Sequence, residues 1–279
     1  RQMVGRLDTK ETVLERLATL KAYGQCSVVI DLIYGLPGQT MEVWEQDLAD
    51  LVSSGVDGAD LYQLNVFDGS DLNRDIASGK VPPAATTAMQ GDMFEFGRTY
   101  LETRAYRRLS AAHWSANNRE RSLYNILAKA GVPMFPFGSG AGGNVDGYGM
   151  MLHRALKPYE DMVSRGEKPF MALMKQSDLQ PFVNQVVSQL EQGYLDINTL
   201  VAMDSLLDEL NWLYKLWEER GLVSYNGLLY KLTSAGEFWT VNITQSTLES
   251  MEYILTGKNS FALESVAAQD TKTTSKENP

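Results

Sequence analysis

Asp31 interrupts an apolar run, Val28-Val29-Ile30-Asp31-Leu32-Ile33. A carboxylate in a strand covered on both faces is costly unless something pairs with it, so it needs a protein partner or a ligand. The run reads as a parallel strand. Asp31 lies toward its C-terminal end, the edge at which such sheets bind ligands. Asn65 ends the next strand-like stretch, and Asn144 follows a glycine-rich loop. Each asparagine alone is an ordinary turn residue. Three polar side chains at three strand ends together point to a ligand rim. A structural ion pair or a loop cap is the competing account of Asp31.

The loop before Asn144 contains Gly138-x-Gly140-x-x-Gly143, the spacing of the dinucleotide fingerprint. That fingerprint needs a helix opening on its last glycine. Asn144-Val145-Asp146-Gly147-Tyr148-Gly149 is turn-rich and cannot start one, so the nicotinamide reading fails. Gly138, Gly140, Gly142 and Gly143 are expected instead to let backbone at a strand end approach another group closely.

Of the two histidines, His113 follows a strand-like stretch and could move protons or ligate iron. His153 reads as an ordinary helix residue. Arg119 and Arg121 could hold carboxylates by bidentate pairing, or simply form a solvated helix face. The one cysteine, Cys26, rules out an internal disulfide. With two histidines beside it, the chain cannot by itself hold a thiolate-ligated iron–sulfur cluster, and it offers no zinc constellation.

The elements that must position these residues alternate. Asp8-x-x-Glu11 opens a helix that Gly24 stops. The strand around Asp31 follows, then a turn and a helix capped by Thr40. The next strand is ADLYQLNVF, followed by a short helix after Ser70 and a long one beginning near Thr87. AYRRLSAAHW and VPMFPFGSG read as two further strands, with the helical NNRERSLYNILAKAG between them. Strand–helix alternation implies βαβ units and a parallel sheet. The class is α/β, and about four strands make the C-terminal half of a partial TIM-like barrel over residues 1–150. The amphipathic helices of residues 151–257, with a hairpin at Asn226-Gly227, read as a small winged-helix-like domain. The polar stretch 258–279 reads as a disordered tail.

The totals exclude several classes. The 279 residues are 44% hydrophobic and 22% charged, ordinary for a soluble globular protein. A net charge of −10 argues against a protein that tracks nucleic-acid phosphates. No apolar run is long enough to span a membrane and no signal peptide is visible; the single cysteine fits a reducing cytosol, and a cytoplasmic location is expected. The start at Arg1-Gln2-Met3 runs straight into structure, which suggests that an N-terminal part is missing.

IDLIYGLPGQTMEVWEQDL, followed by LYQLNVFDGSDL, resembles the oxygen-independent coproporphyrinogen oxidase family of radical SAM enzymes. RLSAAHW, RERSLYN and PFGSGAGG resemble more narrowly its anaerobic heme-utilisation branch (HutW/ChuW type), methyltransferases that open heme to a linear tetrapyrrole. The resemblance implies an S-adenosylmethionine (SAM) site touched by Arg6, Asp31, Asn65 and Asn144, with the glycine loop approaching SAM or substrate. It implies a [4Fe–4S] cluster too, but the CxxxCxxC motif that holds one is absent here. The cluster is therefore assigned to the missing part, and this chain alone is expected to be inactive.

The first functional expectation is anaerobic heme opening with iron release, served by an electron donor such as flavodoxin. Trp114, Phe135 and Phe137 would face the macrocycle, and Arg108, Arg121 and His113 would contact the tetrapyrrole. The alternatives are decarboxylation of coproporphyrinogen propionates and a heme carrier or chaperone without turnover.

Overall fold

The computed structural model describes residues 8–258. Arg6, and the tail from residue 259 onward, lie outside the described residues. The chain divides into two compact units, residues 1–122 and 123–279.

In the first unit, local capping sets the helices. Helix α1 (Lys10–Tyr23) is capped by the Thr9 hydroxyl, which accepts from Thr12 N, and is ended by Gly24 at φ 68°. Asp8, the expected cap, lies one residue outside and pairs with Arg16 at 2.9 Å. Strand β1 (Val29–Tyr34) leads through a glutamine-locked turn into α2 (Met41–Ser54), which Thr40 caps as expected. Strand β2 (Gly58–Gln63), α3 (Asp71–Ala77, capped by Ser70) and α4 (Thr87–Glu102, capped by Thr86) follow.

The sheet has the order β1-β2-β4-β3, where β3 is Arg107–Arg108 and β4 is His113–Ser115. Only β1 and β2 are parallel; β4 runs antiparallel to β2, and β3 antiparallel to β4. This corrects the expectation of one parallel strand over AYRRLSAAHW. The chain reverses at Ser110–Ala112, closed by Leu109 N donating to His113 O at 2.8 Å. A short reversal can only join antiparallel strands, whereas a parallel neighbour needs a long crossover.

Alternation splits the sheet into two faces. Tyr34, Ala59, Leu61 and Trp114 are buried together with Trp44, Leu48 and Leu51 of α2 and Met93, Phe94 and Leu101 of α4. Tyr34 stacks obliquely on Trp44 (5.7 Å between centroids), and Trp44 Nε1 donates to Met93 O at 2.8 Å. Gly97 keeps α4 close, since a Cβ there would lie 3.1 Å from the Trp44 ring. The other face carries Asp31, Ile33, Asp60, Tyr62 and His113.

The second unit begins with α5 (Leu123–Lys129) and a three-stranded antiparallel sheet, β5 (Gly142–Val145), β6 (Tyr148–Leu152) and β7 (Phe170–Lys175), in that order. The expected strand over VPMFPFGSG is reduced to one bridge, Met134 to Asn144. Pro133 and Pro136 have no N–H for a ladder. The stretch around His153 is strand and loop, not helix: His153 directly follows β6, and α6 (Leu156–Ser164) starts three residues later.

Helices α7 (Gln180–Glu191), α8 (Ile197–Val201), α9 (Leu210–Glu219), α10 (Ser234–Phe238) and α11 (Thr240–Thr256) complete this unit. Its core gathers Val186, Leu190, Leu200, Leu210, Tyr214, Ile243 and Met251. Residues 200–221 do not form the single helix their apolar spacing suggests. Asp204 caps a 3₁₀ turn at Ser205–Glu209, its carboxylate accepting from Leu206 N at 2.9 Å, and α9 starts afresh. The expected hairpin is present as β9 (Val223–Tyr225) and β10 (Tyr230–Leu232), with Gly227 at φ 90° in its turn and β8 (Tyr194–Leu195) pairing on the other side of β10.

Candidate functional site

The parallel register places Asp31 opposite Asp60, and the antiparallel register places Asp60 opposite His113. Three ionisable side chains therefore lie in a row across three neighbouring strands, on the face away from α2 and α4. His113 Nδ1 is 3.0 Å from Asp60 Oδ1, and its Nε2 is 3.3 Å from Glu120 Oε1. Gly58 makes room for this: a Cβ there would meet Trp114 O at 2.7 Å and the Glu120 side chain at 3.1 Å. His113 is 4% exposed and Asp60 8%.

Asp31 is exposed. Among the described residues its carboxylate has no hydrogen bond or ion pair, which sets it apart from Asp60 beside it. Burial, and then the neighbouring Asp60, push its carboxyl above the usual carboxylate range, while His113 pulls it back. His113 is raised above the usual imidazole value, first by its hydrogen bond to Asp60, against an opposing effect of burial.

The C-terminal edge of β1 and β2 is stitched by three glutamines. Gln39 Oε1 accepts from Gly35 N (2.8 Å) and Leu36 N (3.1 Å). Gln63 Nε2 donates to Gln90 Oε1 (2.9 Å), and Gln90 Nε2 to Leu64 O (3.1 Å). Asn65 lies exposed at this same edge, just beyond β2, with one long contact of 3.5 Å to Gln63 O.

The other expected site residues fall elsewhere. Asn144, in the second unit, turns its side chain to its own chain: Oδ1 accepts from Met134 N at 3.1 Å and Nδ2 donates to Gly131 O at 3.3 Å. Gly138 and Gly140 take positive φ (93° and 76°), Gly142 opens β5, and a Cβ on Gly143 would collide with Met134 O. The close approach at Gly143 is thus to the chain's own backbone. Arg108 is half-buried with Nη2 donating to Ala111 O at 3.3 Å, and Arg121 is exposed. Trp114, expected to face a macrocycle, is 1% exposed and belongs to the helix-covered core. Phe135 and Phe137 are 70% and 88% exposed. Among the described residues no group of three or more His, Cys, Asp or Glu is arranged to hold a metal ion, and no helix is long and apolar enough to cross a membrane.

Sequence reasoning missed Asp60 and Glu120. For Asp60 the signal was present: Ala59 and Leu61 alternate with Asp60 and Tyr62 in one strand, so the carboxylate had to share a face with Asp31.

No family model matches the chain. Its fold is that of a solved radical SAM enzyme, the coproporphyrinogen III oxidase of Escherichia coli: TM-score 0.70, 18% identity, covering 88% of this chain and 60% of that one. This bears out the α/β class and the partial-barrel-plus-helical-domain architecture. The chain is 31% identical over 255 residues to the anaerobilin synthase of Escherichia coli O157:H7, covering 91% of this chain and 56% of the relative. It is 26% identical over 223 residues to the heme chaperone HemW of Lactococcus lactis, covering 73% and 58%. In sequence the chain is thus similar to radical SAM proteins of the oxygen-independent coproporphyrinogen oxidase type, and it shares their fold. The expected likeness to the heme-degrading branch is carried by the match to anaerobilin synthase. The chain spans a little over half the length of these curated relatives.

Proposed function

We propose that this chain contributes a SAM-binding rim and a C-terminal domain to a radical SAM methyltransferase that opens heme anaerobically to a linear tetrapyrrole, with release of iron. Asp31 carries the reading. It is an exposed carboxylate without a partner among the described residues, held in the middle of a parallel strand and not at the end the sequence suggested, in a chain 31% identical to anaerobilin synthase.

Asp31 suits a ligand that offers a hydroxyl or ammonium donor, and SAM offers both. Asn65 adds an amide farther along, just beyond the end of β2. Ile33 and Tyr62, 41% and 44% exposed on the face of Asp31, supply apolar surface beside it. Bound SAM would supply the radical and the methyl group; these residues bind and orient it. Arg6 and Asn144 are carried as further SAM contacts by family resemblance. Cys26 alone cannot supply the thiolates of a [4Fe–4S] cluster, and no step is assigned to cluster chemistry on this chain. For the tetrapyrrole, the exposed Arg121 suits a propionate and the exposed Phe135 and Phe137 suit an apolar macrocycle, each as a separate candidate. Flavodoxin is the proposed electron donor and the cytoplasm the proposed location.

The test is anaerobic incubation of the native, cluster-loaded protein with SAM, a reductant and heme. Loss of the heme Soret band, with a methylated open tetrapyrrole and 5′-deoxyadenosine, is the expected result. An intact band with SAM unspent rejects the reading. Stable heme binding would then favour a carrier, and turnover of coproporphyrinogen the oxidase.

A further inference from the structure

The row Asp31–Asp60–His113 has an asymmetry that its ligand role does not explain. Asp31 is exposed, while Asp60 and His113 are sealed beside it and Glu120 closes the far side of the imidazole. Two carboxylates in register on adjacent strands repel one another, and like charges at close range favour protonating one of them. A protonated Asp31 would be a poor acceptor. On the other side of Asp60 the structure sets His113, whose imidazole meets a carboxylate oxygen at each nitrogen, 3.0 and 3.3 Å away, an arrangement that favours its cationic form. Its outer nitrogen is buried without a well-formed hydrogen bond, so Glu120 acts on it by charge.

We propose that His113 is a positioning residue for the SAM rim: fixed between Asp60 and Glu120, it cancels the charge of Asp60 and so keeps Asp31 an anion able to accept from SAM. This rests on the SAM-binding reading of Asp31. His113 acts through Asp60 and does not touch the ligand. The ionisable groups on this face are Asp31 from β1, Asp60 and Tyr62 from β2, His113 from β4, Glu120 from the loop after β4, and Arg107 of β3 opposite Ser115.

The direction of each effect follows from the neighbours. Asp60 raises the Asp31 carboxyl more strongly than His113 lowers it. Removing the histidine therefore moves Asp31 up, removing the Asp60 charge moves it down, and removing both also moves it down. SAM affinity should be measured across pH, from the usual carboxylate range up to neutrality, by calorimetry on the cluster-loaded protein and four variants: His113→Gln, Asp60→Asn, the double variant, and Asp31→Ala. Binding that needs ionised Asp31 strengthens as pH rises through its pKa. His113→Gln should shift that midpoint upward by about one pH unit, roughly tenfold weaker binding in the affected range. Asp60→Asn, which keeps the side chain's shape, should shift it downward. The double variant should bind at least as tightly as the parent at low pH, a rescue that damage to the fold would not produce.

A parent-like midpoint in His113→Gln, or a double variant no better than His113→Gln, overturns the proposal. If Asp31→Ala weakens binding at least tenfold while His113→Gln leaves the midpoint in place, only this inference falls. If Asp31→Ala binds SAM like the parent, the ligand reading of Asp31 falls and takes this inference with it.

Discussion

Asp57→Ala should loosen the first unit at its base. Asp57 lies between α2 and β2 and is 1% exposed. Its Oδ2 accepts from Val28 N at 2.9 Å, and its Oδ1 accepts from Lys21 Nζ at 3.0 Å and Asn117 Nδ2 at 2.9 Å. One side chain thus ties α1, the start of β1 and the segment after β4. Alanine leaves the buried Val28 N–H without an acceptor, costing about 1–3 kcal/mol. Lys21 keeps 29% of its side chain exposed and recovers water, so its loss adds about 1 kcal/mol at most. The expected total is about 3 kcal/mol. Asparagine keeps an acceptor for Val28 and should cost about half as much. Burial alone would raise the Asp57 carboxyl, but the hydrogen bonds from Val28, Asn117 and Lys21 together hold it below the usual carboxylate range. A depressed folded value means that the charge stabilises above the usual carboxylate pKa and stops doing so as pH falls through the folded value. The gap between parent and Asp57→Asn should therefore shrink on going from pH 7 to below pH 4. Because the chain divides into two compact units, one global transition would not isolate the effect, so the assay is hydrogen exchange of β1 and β2 amides across a urea series. A loss under 1 kcal/mol for alanine, or a pH-independent gap for asparagine, refutes this account.

Asp31→Asn should weaken SAM binding at least tenfold while leaving the melting temperature unchanged or raised, because the native carboxylate has no hydrogen bond or ion pair among the described residues to lose and the repulsion from Asp60 outweighs the attraction to His113; calorimetry beside thermal melts checks both. Gly236→Ala should destabilise the second unit by about 3 kcal/mol, since its Cβ would overlap Leu222 O; urea unfolding followed in α9 and α11 reads it. Tyr214→Phe should cost about 1 kcal/mol, because the buried phenol bonds Thr247 Oγ1 at 2.9 Å while Thr247 retains Ile243 O at 2.7 Å. That cost should not vary between pH 5 and 9, as burial pushes the Tyr214 phenol far upward and keeps it neutral.

What was legible in the sequence was local. Thr40, Ser70 and Gly24 mark helix ends by bonds within four residues, and each does so in the structure. The hairpin at Asn226-Gly227 is equally local: Asn226 Oδ1 accepts from Leu228 and Leu229 N. Strand direction was not legible, because AYRRLSAAHW has the same apolar content whether it runs on or folds back at Ser110. The β5-β6-β7 sheet escaped because its glycines and methionines give no clean alternation. At the site, Asp31 stood out because it broke an apolar run. Asp60 did not, because it sat in a stretch that already looked mixed. Glu120 escaped because its partner lies on a strand seven residues back, reached only after the chain turns.

The alternation that sets Asp60 on the face of Asp31 also accounts for where the candidate site lies. Every second residue of β1 and β2 was committed to Trp44, Met93 and the other core side chains, which fixes the strands rigidly against α2 and α4. The remaining positions were then free to be chosen for chemistry without loss of that core. They hold an ion row framed by exposed Ile33 and Tyr62, a few polar groups set in apolar surface, which is the usual make-up of a small-molecule site. A purely structural ion pair would have had no need of Asp31: Asp60 and Glu120 already flank His113 with two carboxylates, and a third beside Asp60 adds more repulsion than it gains from the imidazole. Among the described residues Asp31 has no hydrogen bond or ion pair and stands beside a second carboxylate; a local cost of that kind is expected where a ligand supplies the missing partner, as proposed above.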